Sequence, residues 1–122
     1  MYKVSVTAKF AAAHRLRGYE GACENLHGHN WLVRAIIGTN HLDKTGIAYD
    51  FKKLNQKLKQ IIDQFDHQFL NDIPPFDSKL NPTSENLAKF IFDALEEKLP
   101  SNLKVVSIEV SESEKYVAIY EK

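Results

Sequence analysis

Apolar and polar residues alternate through the first ten positions of the chain. Over residues 2–10 the even positions are apolar and the odd positions are polar; the apolar set is Tyr2, Val4, Val6, Ala8 and Phe10. A period of two predicts a strand with one buried face. The same parity places Ala12 and His14 on the buried side, although the alanine run at 11–13 could break or bulge the strand.

A second alternation predicts a strand over residues 30–38, where the apolar positions are Trp31, Val33, Ala35 and Ile37. Side chains two residues apart on a strand point the same way, so His27 and His29 would share the face of Trp31. Residues 15–26, which contain Gly18, Gly21 and the cysteine Cys23, are predicted to be a loop. A turn region follows at 39–46, and its His41 is expected to be a solvated loop residue.

Two amphipathic helices are predicted in the middle of the chain. Asp50 would cap the first, of about four turns, which ends near Asp66 and His67. Its apolar positions are Phe51, Leu54, Leu58, Ile61, Ile62 and Phe65. Three prolines mark residues 71–82 as a loop. The second helix begins at Thr83, with Thr83 or Ser84 as its cap, and Pro100 ends it.

Two strands complete the pattern. In the first, Val106, Ile108 and Val110 are predicted to face inward, and Glu112 is the next inward position unless the strand ends at Val110. The last strand covers residues 116–121. The order β-β-α-α-β-β predicts an α+β fold, with a four-stranded antiparallel sheet under two helices and residues 1–122 in one domain. Its two open edges favour pairing with copies of the same chain.

Composition excludes several partners. The 122 residues carry 16 basic and 16 acidic side chains, so no basic excess predicts binding to nucleic acid or to a membrane surface. No apolar run approaches the roughly 18 residues that span a bilayer. A single cysteine forms no intrachain disulfide, which favours a reducing cytoplasm.

The histidines are the strongest chemical signal. His14, His27 and His29 are predicted to converge on one inward face, which favours a metal site over three separate core histidines. Three imidazoles with an open position are typical of catalytic zinc, whereas Cys23 as a fourth ligand would make a closed structural site in a non-enzymatic binding module. Asp66 and His67 could be a surface pair or a proton-transfer pair.

Six motifs in order resemble the 6-pyruvoyl-tetrahydropterin synthase family over nearly the whole chain. They are Phe10-Ala11-Ala12-Ala13-His14-Arg15-Leu16, Cys23-x-x-x-His27-Gly28-His29, Tyr49-Asp50-Phe51, Asp66-His67, Asn81-Pro82-Thr83-Ser84-Glu85-Asn86-Leu87 and Glu112. The resemblance implies the tunnelling fold, a homohexamer built as a dimer of trimers, and active sites between subunits.

The gap of three residues between Cys23 and His27 is similar to the bacterial branch of the family, the 6-carboxytetrahydropterin synthases of queuosine biosynthesis. The resemblance implies a zinc lyase that converts 7,8-dihydroneopterin triphosphate to 6-carboxytetrahydropterin, acetaldehyde and triphosphate. Cys23 would accept a proton, His67 held by Asp66 would shuttle protons, and Glu112 would bind the pterin ring.

The same resemblance implies further candidate site residues. Thr83 and Ser84 could line the ring pocket or only cap the helix, and Arg15 and Arg17 are candidates for the triphosphate.

Glu24 leaves a second activity open. A related folate enzyme uses a glutamate in this loop, so the combined Cys-Glu-x-x-His-Gly-His form also resembles an enzyme that releases 6-hydroxymethyl-dihydropterin. The 6-pyruvoyl activity of the wider family is a further alternative.

Overall fold

The computed structural model describes residues 1–18 and 25–122. Cys23 and Glu24, to which the sequence assigns chemical roles, lie outside the described residues. Among those described, the first strand is β1 (Tyr2–His14) and the second is β2 (His27–Thr39). They pair antiparallel without a register shift, from Tyr2 opposite Thr39 to His14 opposite His27.

The strand parity therefore holds to the end of β1, but Tyr2, predicted to be on the buried face, is 54% exposed at the start of the strand. Phe10, Ala12 and His14 are buried, and the alanine run neither breaks nor bulges the strand. β2 begins at His27, three residues before the predicted start, so both of its histidines lie on the strand itself. Their alternate positions place them on the same face as the buried Trp31.

The sheet has five strands in the described part of the chain, not the predicted four. The further three are β3 (Gln68–Phe69), β4 (Lys104–Ser111) and β5 (Val117–Tyr120), and the order in the sheet is β3-β1-β2-β4-β5. The added strand, β3 (Gln68–Phe69), is parallel to β1 and opposes Ala12 and Ala13. Two residues are too few to show a period in the sequence. The predicted α+β class is confirmed, with this parallel addition to an otherwise antiparallel sheet.

Two helices cover one face of the sheet. The first, α1 (Phe51–Ile62), starts after Asp50, whose side chain accepts from the backbone N–H of Lys52. It ends three residues before Phe65, so the predicted four turns were too many, and Phe51 is exposed. The second, α2 (Ser84–Lys98), is capped by the Thr83 hydroxyl, which accepts from the N–H of Asn86 at 3.0 Å.

A β-bulge changes the face predicted for one residue of β4 (Lys104–Ser111). Ile36 pairs with Ser107 but Ile37 pairs with Val105, so Val106 is the extra residue. Val105 is buried, whereas Val106, predicted to face the core, is only half-buried. Ser107, predicted to face outward, is buried. Ile108 and Val110 are buried as predicted.

The last strand is β5 (Val117–Tyr120), slightly shorter than predicted, and it forms one edge of the sheet. Glu112 follows β4 in the connection to β5, and is therefore not on a strand. A short 3₁₀ helix, Leu70–Asp72, opens the loop predicted for 71–82. No helix in the described ranges is long and apolar enough to cross a membrane.

Candidate metal centre and active site

Three histidines converge where the ends of β1 and β2 meet the start of α2. One ligand nitrogen each from His14, His27 and His29 lies within 4.8 Å of the others. His14 is 1% exposed and His29 23%. The Trp31 ring packs edge-on against His14 and His29, with centroids 4.9 and 5.3 Å apart, and thereby forms the apolar floor of the cluster.

Backbone carbonyls fix the orientation of two of the rings. The Nδ1 atom of His14 lies 2.7 Å from the carbonyl oxygen of Pro82, just ahead of α2. The Nδ1 atom of His27 lies 2.7 Å from the carbonyl oxygen of Asn25. A carbonyl only accepts, so each Nδ1 carries the hydrogen, and each neutral ring presents an Nε2 lone pair to the cluster.

These lone pairs face one another. The Nε2 atoms of His14 and His27 are 3.0 Å apart, and the buried Nε2 of His29 has no hydrogen-bond partner. Two facing lone pairs repel unless a cation lies between them. Nitrogens that share a tetrahedral zinc at about 2.0–2.1 Å are roughly 3.3 Å apart. The three residues therefore fit a metal ion held through Nε2 atoms.

Burial favours the neutral form of His14 and of His29, which is the form that binds a metal ion. Burial lowers the pKa of His14 below its ordinary value of 6.5, against the opposing effects of the Pro82 carbonyl and the Glu112 carboxylate. Burial also lowers the pKa of His29, and the nearby Glu112 again opposes it.

Glu112 lies beside the cluster. Its Oε1 atom accepts a hydrogen bond from the Ser84 hydroxyl at 2.9 Å, and its Oε2 atom is 3.4 Å from the Nε2 of His29. Glu112 and Ser84 also line a cleft of about 430 Å³ that continues along Glu85 and residues 116–119. The carboxylate therefore borders both the metal site and a space large enough for a small heterocycle.

Asp66 and His67 form a contact of a different kind. The Nδ1 atom of His67 is 3.1 Å from Oδ2 of Asp66. The other oxygen, Oδ1 of Asp66, accepts from the backbone N–H of Ala11 at 2.9 Å. That bond is the largest cause of the lowered pKa of Asp66, with the charge of His67 contributing in the same direction. The carboxylate is thus tied to β1 and oriented toward the imidazole.

His67 lines another cleft, of about 540 Å³. Its walls include Ala11, Ala13, Gly28 and Asn30, whose side-chain positions alternate with those that face the core. Within one chain, Glu112 therefore lies beside the three histidines, whereas His67 lines a separate cleft that His29 also borders.

The two arginines and Thr83 are placed by their backbone or capping bonds. Arg17 donates a guanidinium N–H to the carbonyl of Leu80 at 2.6 Å, and Arg15 is exposed. Thr83 caps α2, whereas Ser84 contacts Glu112, so the two hydroxyls have separate partners. His41 is exposed in its loop.

Sequence reasoning missed two asparagines that hold the chain just after β1. The Asn71 side chain exchanges two hydrogen bonds, each 2.9 Å, with the backbone N–H and carbonyl of Arg15. Asn81 does the same with Arg17, at 2.9 and 2.8 Å. Asn81 belongs to one of the six motifs, but its contact is separated by 64 positions and no local pattern indicates it.

The fold and the histidine cluster define this chain as an α+β protein with a three-histidine site suited to a metal ion. Residues 3–122 match the family described as 6-pyruvoyl tetrahydropterin synthase, and the chain belongs to that family. The prediction from its motifs is thereby confirmed.

Similar proteins include enzymes with two names. A 6-carboxy-5,6,7,8-tetrahydropterin synthase from Synechocystis sp. is 39% identical over an alignment of 93 residues, with 72% of this chain and 70% of the relative covered. A dihydroneopterin monophosphate aldolase from Pyrococcus furiosus is 29% identical over 114 residues, with 93% and 92% covered. The prediction that the chain is an enzyme of pterin chemistry is confirmed by such relatives.

Solved structures of this family share the fold of this chain, so the predicted tunnelling fold is confirmed. The 6-pyruvoyl tetrahydropterin synthase of Caenorhabditis elegans superposes with a TM-score of 0.85 and 28% sequence identity, covering 99% of this chain and 95% of that chain.

Proposed function

We propose that this protein is a zinc-dependent 6-carboxy-5,6,7,8-tetrahydropterin synthase that acts in queuosine biosynthesis in the cytoplasm. It would convert 7,8-dihydroneopterin triphosphate and water to 6-carboxytetrahydropterin, acetaldehyde and triphosphate. The observation that carries the proposal is the convergence of three Nε2 atoms beside a carboxylate-lined cleft. The relative from Synechocystis, which bears this enzyme's name, supports the choice of reaction.

His14, His27 and His29 would hold the zinc ion. When bound, zinc supplies a Lewis acid that lowers the pKa of the substrate's side-chain hydroxyls. The chain's own contribution would be burial, which favours neutral His14 and His29, and the two carbonyl contacts at Nδ1, which orient the rings of His14 and His27. Trp31 excludes water from the inner side of the cluster.

Glu112 would bind the pterin ring, because an ionised carboxylate accepts hydrogen bonds from the ring N–H groups. The adjoining cleft of about 430 Å³ supplies the space, with Ser84 at its wall. Thr83 would serve chiefly as the cap of α2, which holds Ser84 at the helix start. Arg15 and Arg17 remain candidates for the triphosphate.

Proton transfer would fall to Cys23 and His67. The Cys23 thiolate would accept a proton from the substrate side chain, as the family resemblance implies. His67 would shuttle protons, with Asp66 fixing its ring angle and favouring hydrogen on Nδ1. The reaction breaks the bond between the first and second side-chain carbons and the bond from the third carbon to the triphosphate oxygen. Water supplies an oxygen to the first carbon, and the ring gains two hydrogens, one from the first carbon and one from its hydroxyl.

A homohexamer, formed as a dimer of trimers, would complete the site. His67 and Glu112 line different clefts of one chain, which supports a site in which a second copy would present its imidazole to a pterin held by Glu112. The exposed apolar residues Val117 and Ile119 on the edge strand β5 offer a surface for such pairing.

A second candidate reaction is side-chain cleavage to 6-hydroxymethyl-dihydropterin. It is favoured by the relative from Pyrococcus furiosus, a dihydroneopterin monophosphate aldolase. Glu24 would then act as the base. The 6-pyruvoyl activity, after which the family is named, gives a third product from the same substrate.

Product analysis separates these reactions. The purified protein is incubated with 7,8-dihydroneopterin triphosphate, and the pterin formed is identified by mass. We expect 6-carboxytetrahydropterin with release of acetaldehyde; 6-hydroxymethyl-dihydropterin or the 6-pyruvoyl product would overturn the proposal.

Two variants assign the base. Cys23→Ala is expected to abolish turnover, whereas Glu24→Gln should leave it largely intact. The reverse pattern would favour the aldolase route.

A structural zinc site in a non-enzymatic module is the remaining alternative, with Cys23 as fourth ligand. X-ray absorption of the zinc-loaded protein distinguishes it, because a zinc–sulfur distance of about 2.3 Å is separable from nitrogen and oxygen ligands at about 2.0–2.2 Å. A sulfur ligand combined with no turnover of any pterin would support the structural role.

A further inference from the structure

Glu112 has two places to which its carboxylate could point. On one side lies the cleft that it shares with Ser84 and residues 116–119. On the other lies the histidine cluster, where its oxygens are 3.4 Å from Nε2 of His29 and 4.0 Å from Nε2 of His14. Only the first direction leaves the carboxylate free to bind a substrate.

The hydrogen bond from Ser84 favours the first direction. The Ser84 hydroxyl donates to Oε1 of Glu112 at 2.9 Å, and Ser84 itself is buried and held at the first residue of α2. The Nε2 atom of His29 has no hydrogen-bond partner, although Oε2 of Glu112 is only 3.4 Å away. The serine bond, and not a bond to histidine, therefore orients the carboxylate.

A metal ion in the cluster would compete for this carboxylate. Carboxylate oxygen is a common zinc ligand, and opposite charges attract strongly at the edge of a protein interior. A separation of 3.4 Å from a ligating nitrogen is close to the spacing of two ligands on one zinc ion. Without a restraint, Glu112 would move into the open coordination position and close the site.

We propose that Ser84 is a positioning residue that keeps Glu112 out of the metal's open position and directed into the substrate cleft. This inference rests on the proposed function in one respect, that the metal site must stay open for a pterin side chain. Ser84 acts through Glu112, and its own contact with substrate is not required.

Removing the Ser84 hydroxyl should release Glu112. In Ser84→Ala, we expect zinc affinity to rise by about tenfold, the scale on which groups adjoining metal ligands tune affinity. We expect the affinity for neopterin, an unreactive pterin, to fall by a similar factor. Zinc is measured by competition with a chromophoric chelator, and neopterin by its fluorescence. Ser84→Thr, which keeps a hydroxyl, should restore both affinities.

A spectrum reports on the coordination directly. With Co²⁺ in place of zinc, the visible absorption of wild-type protein should change when neopterin or acetate is added, because a position is open. In Ser84→Ala, the closed site should no longer respond. A response equal to that of the wild type would overturn the proposal.

The coupling to Glu112 is tested in a double-mutant cycle. In a Glu112→Gln background no charged oxygen can enter the metal site, so Ser84→Ala should leave zinc affinity unchanged. An equal rise in both backgrounds would overturn the proposal, as would unchanged or weaker zinc binding in Ser84→Ala alone. Ser107→Ala is the matched control, since Ser107 is a buried serine on β4 remote from Glu112.

These titrations involve no turnover. If the Ser84 variants behave as expected but another pterin product forms, this inference stands and the proposed reaction is wrong. If 6-carboxytetrahydropterin forms but the Ser84 variants do not change zinc or neopterin affinity, the proposed reaction stands and this inference is wrong. Circular dichroism checks that each variant is folded. If Ser84→Ala does not fold, Ser84→Gly removes the same hydroxyl at the first residue of α2, directly after the Thr83 cap.

Discussion

Two groups of ionisable side chains in this protein are built in contrasting ways. The three-histidine cluster lies on long paired strands, with rings oriented by backbone carbonyls and with His14 1% exposed. The Asp66–His67 pair lies in a turn after α1, and the His67 side chain is 81% exposed. In the first group, backbone carbonyls orient the rings of His14 and His27, whereas the imidazole of His67 is oriented by Asp66.

The backbone conformations of the two groups also differ. The histidines of the cluster have ordinary strand conformations, whereas His67 has φ 59°, in the left-handed region. Its N–H donates to the carbonyl of Ala11 at 2.6 Å, which keeps the turn against β1. A rigid cluster suits metal binding, and an exposed imidazole on a strained turn suits a group that meets substrate from outside.

The largest effect is expected when one histidine of the three-histidine cluster is removed. His27→Ala removes one of three ligands, so zinc binding should weaken by about a hundredfold or more and pterin turnover should be lost. Isothermal titration with zinc and a product assay measure both. His41→Ala is the control, because His41 is exposed in the loop after Thr39, at the opposite end of β2 from His27. Unaltered zinc affinity in His27→Ala would show that the cluster is not the metal site.

A smaller effect is expected from neutralising Asp66. Asp66→Asn keeps an oxygen that accepts from Ala11 but loses the charge beside His67, so kcat should fall by about 10–100-fold while zinc affinity stays the same. Unchanged kcat would indicate only a surface pair.

The same variant should change acid stability. The pKa of Asp66 is lowered from its ordinary 3.8, so its stabilising contribution is present above that value and is lost as pH falls through the lower folded value. Denaturant titrations should show this acid loss reduced in Asp66→Asn. An identical pH dependence in both proteins would contradict the assignment.

The smallest effect is expected from the backbone conformation of His67. His67→Ala and His67→Gly remove the same imidazole, but only glycine adopts a positive φ without steric cost. We expect His67→Gly to be more stable than His67→Ala by about 1 kcal/mol, with both variants equally impaired in turnover. Urea denaturation measures the difference, and equal stabilities would show that the turn is not strained.

Sequence reasoning worked where one physical rule governs many residues. Strand parity carried through to His14 because β1 and β2 pair in one uninterrupted register and one of their faces is buried. The same parity correctly put His27 and His29 on the face of Trp31. The cap at Thr83 followed from helix chemistry that acts over three residues.

Sequence reasoning failed where the deciding contact joins positions far apart in the sequence, or where a single residue changes the register. The bulge at Val106 turns one position away from the core, and no local signal precedes it. The two residues of β3 pair with β1 across more than fifty positions. The link between Ser84 and Glu112 spans 28 positions, so a capping rule alone could not separate the roles of Thr83 and Ser84.

The uninterrupted pairing of β1 with β2 has a consequence for how such a protein changes over time. Deleting one residue within either strand would turn the imidazoles to the opposite face, whereas residues added between Arg15 and Leu26 leave the strand alternation untouched. That connecting segment supplies both Cys23 and Glu24. Sequence changes in that segment can therefore alter the proposed base while His14, His27 and His29 keep their shared face.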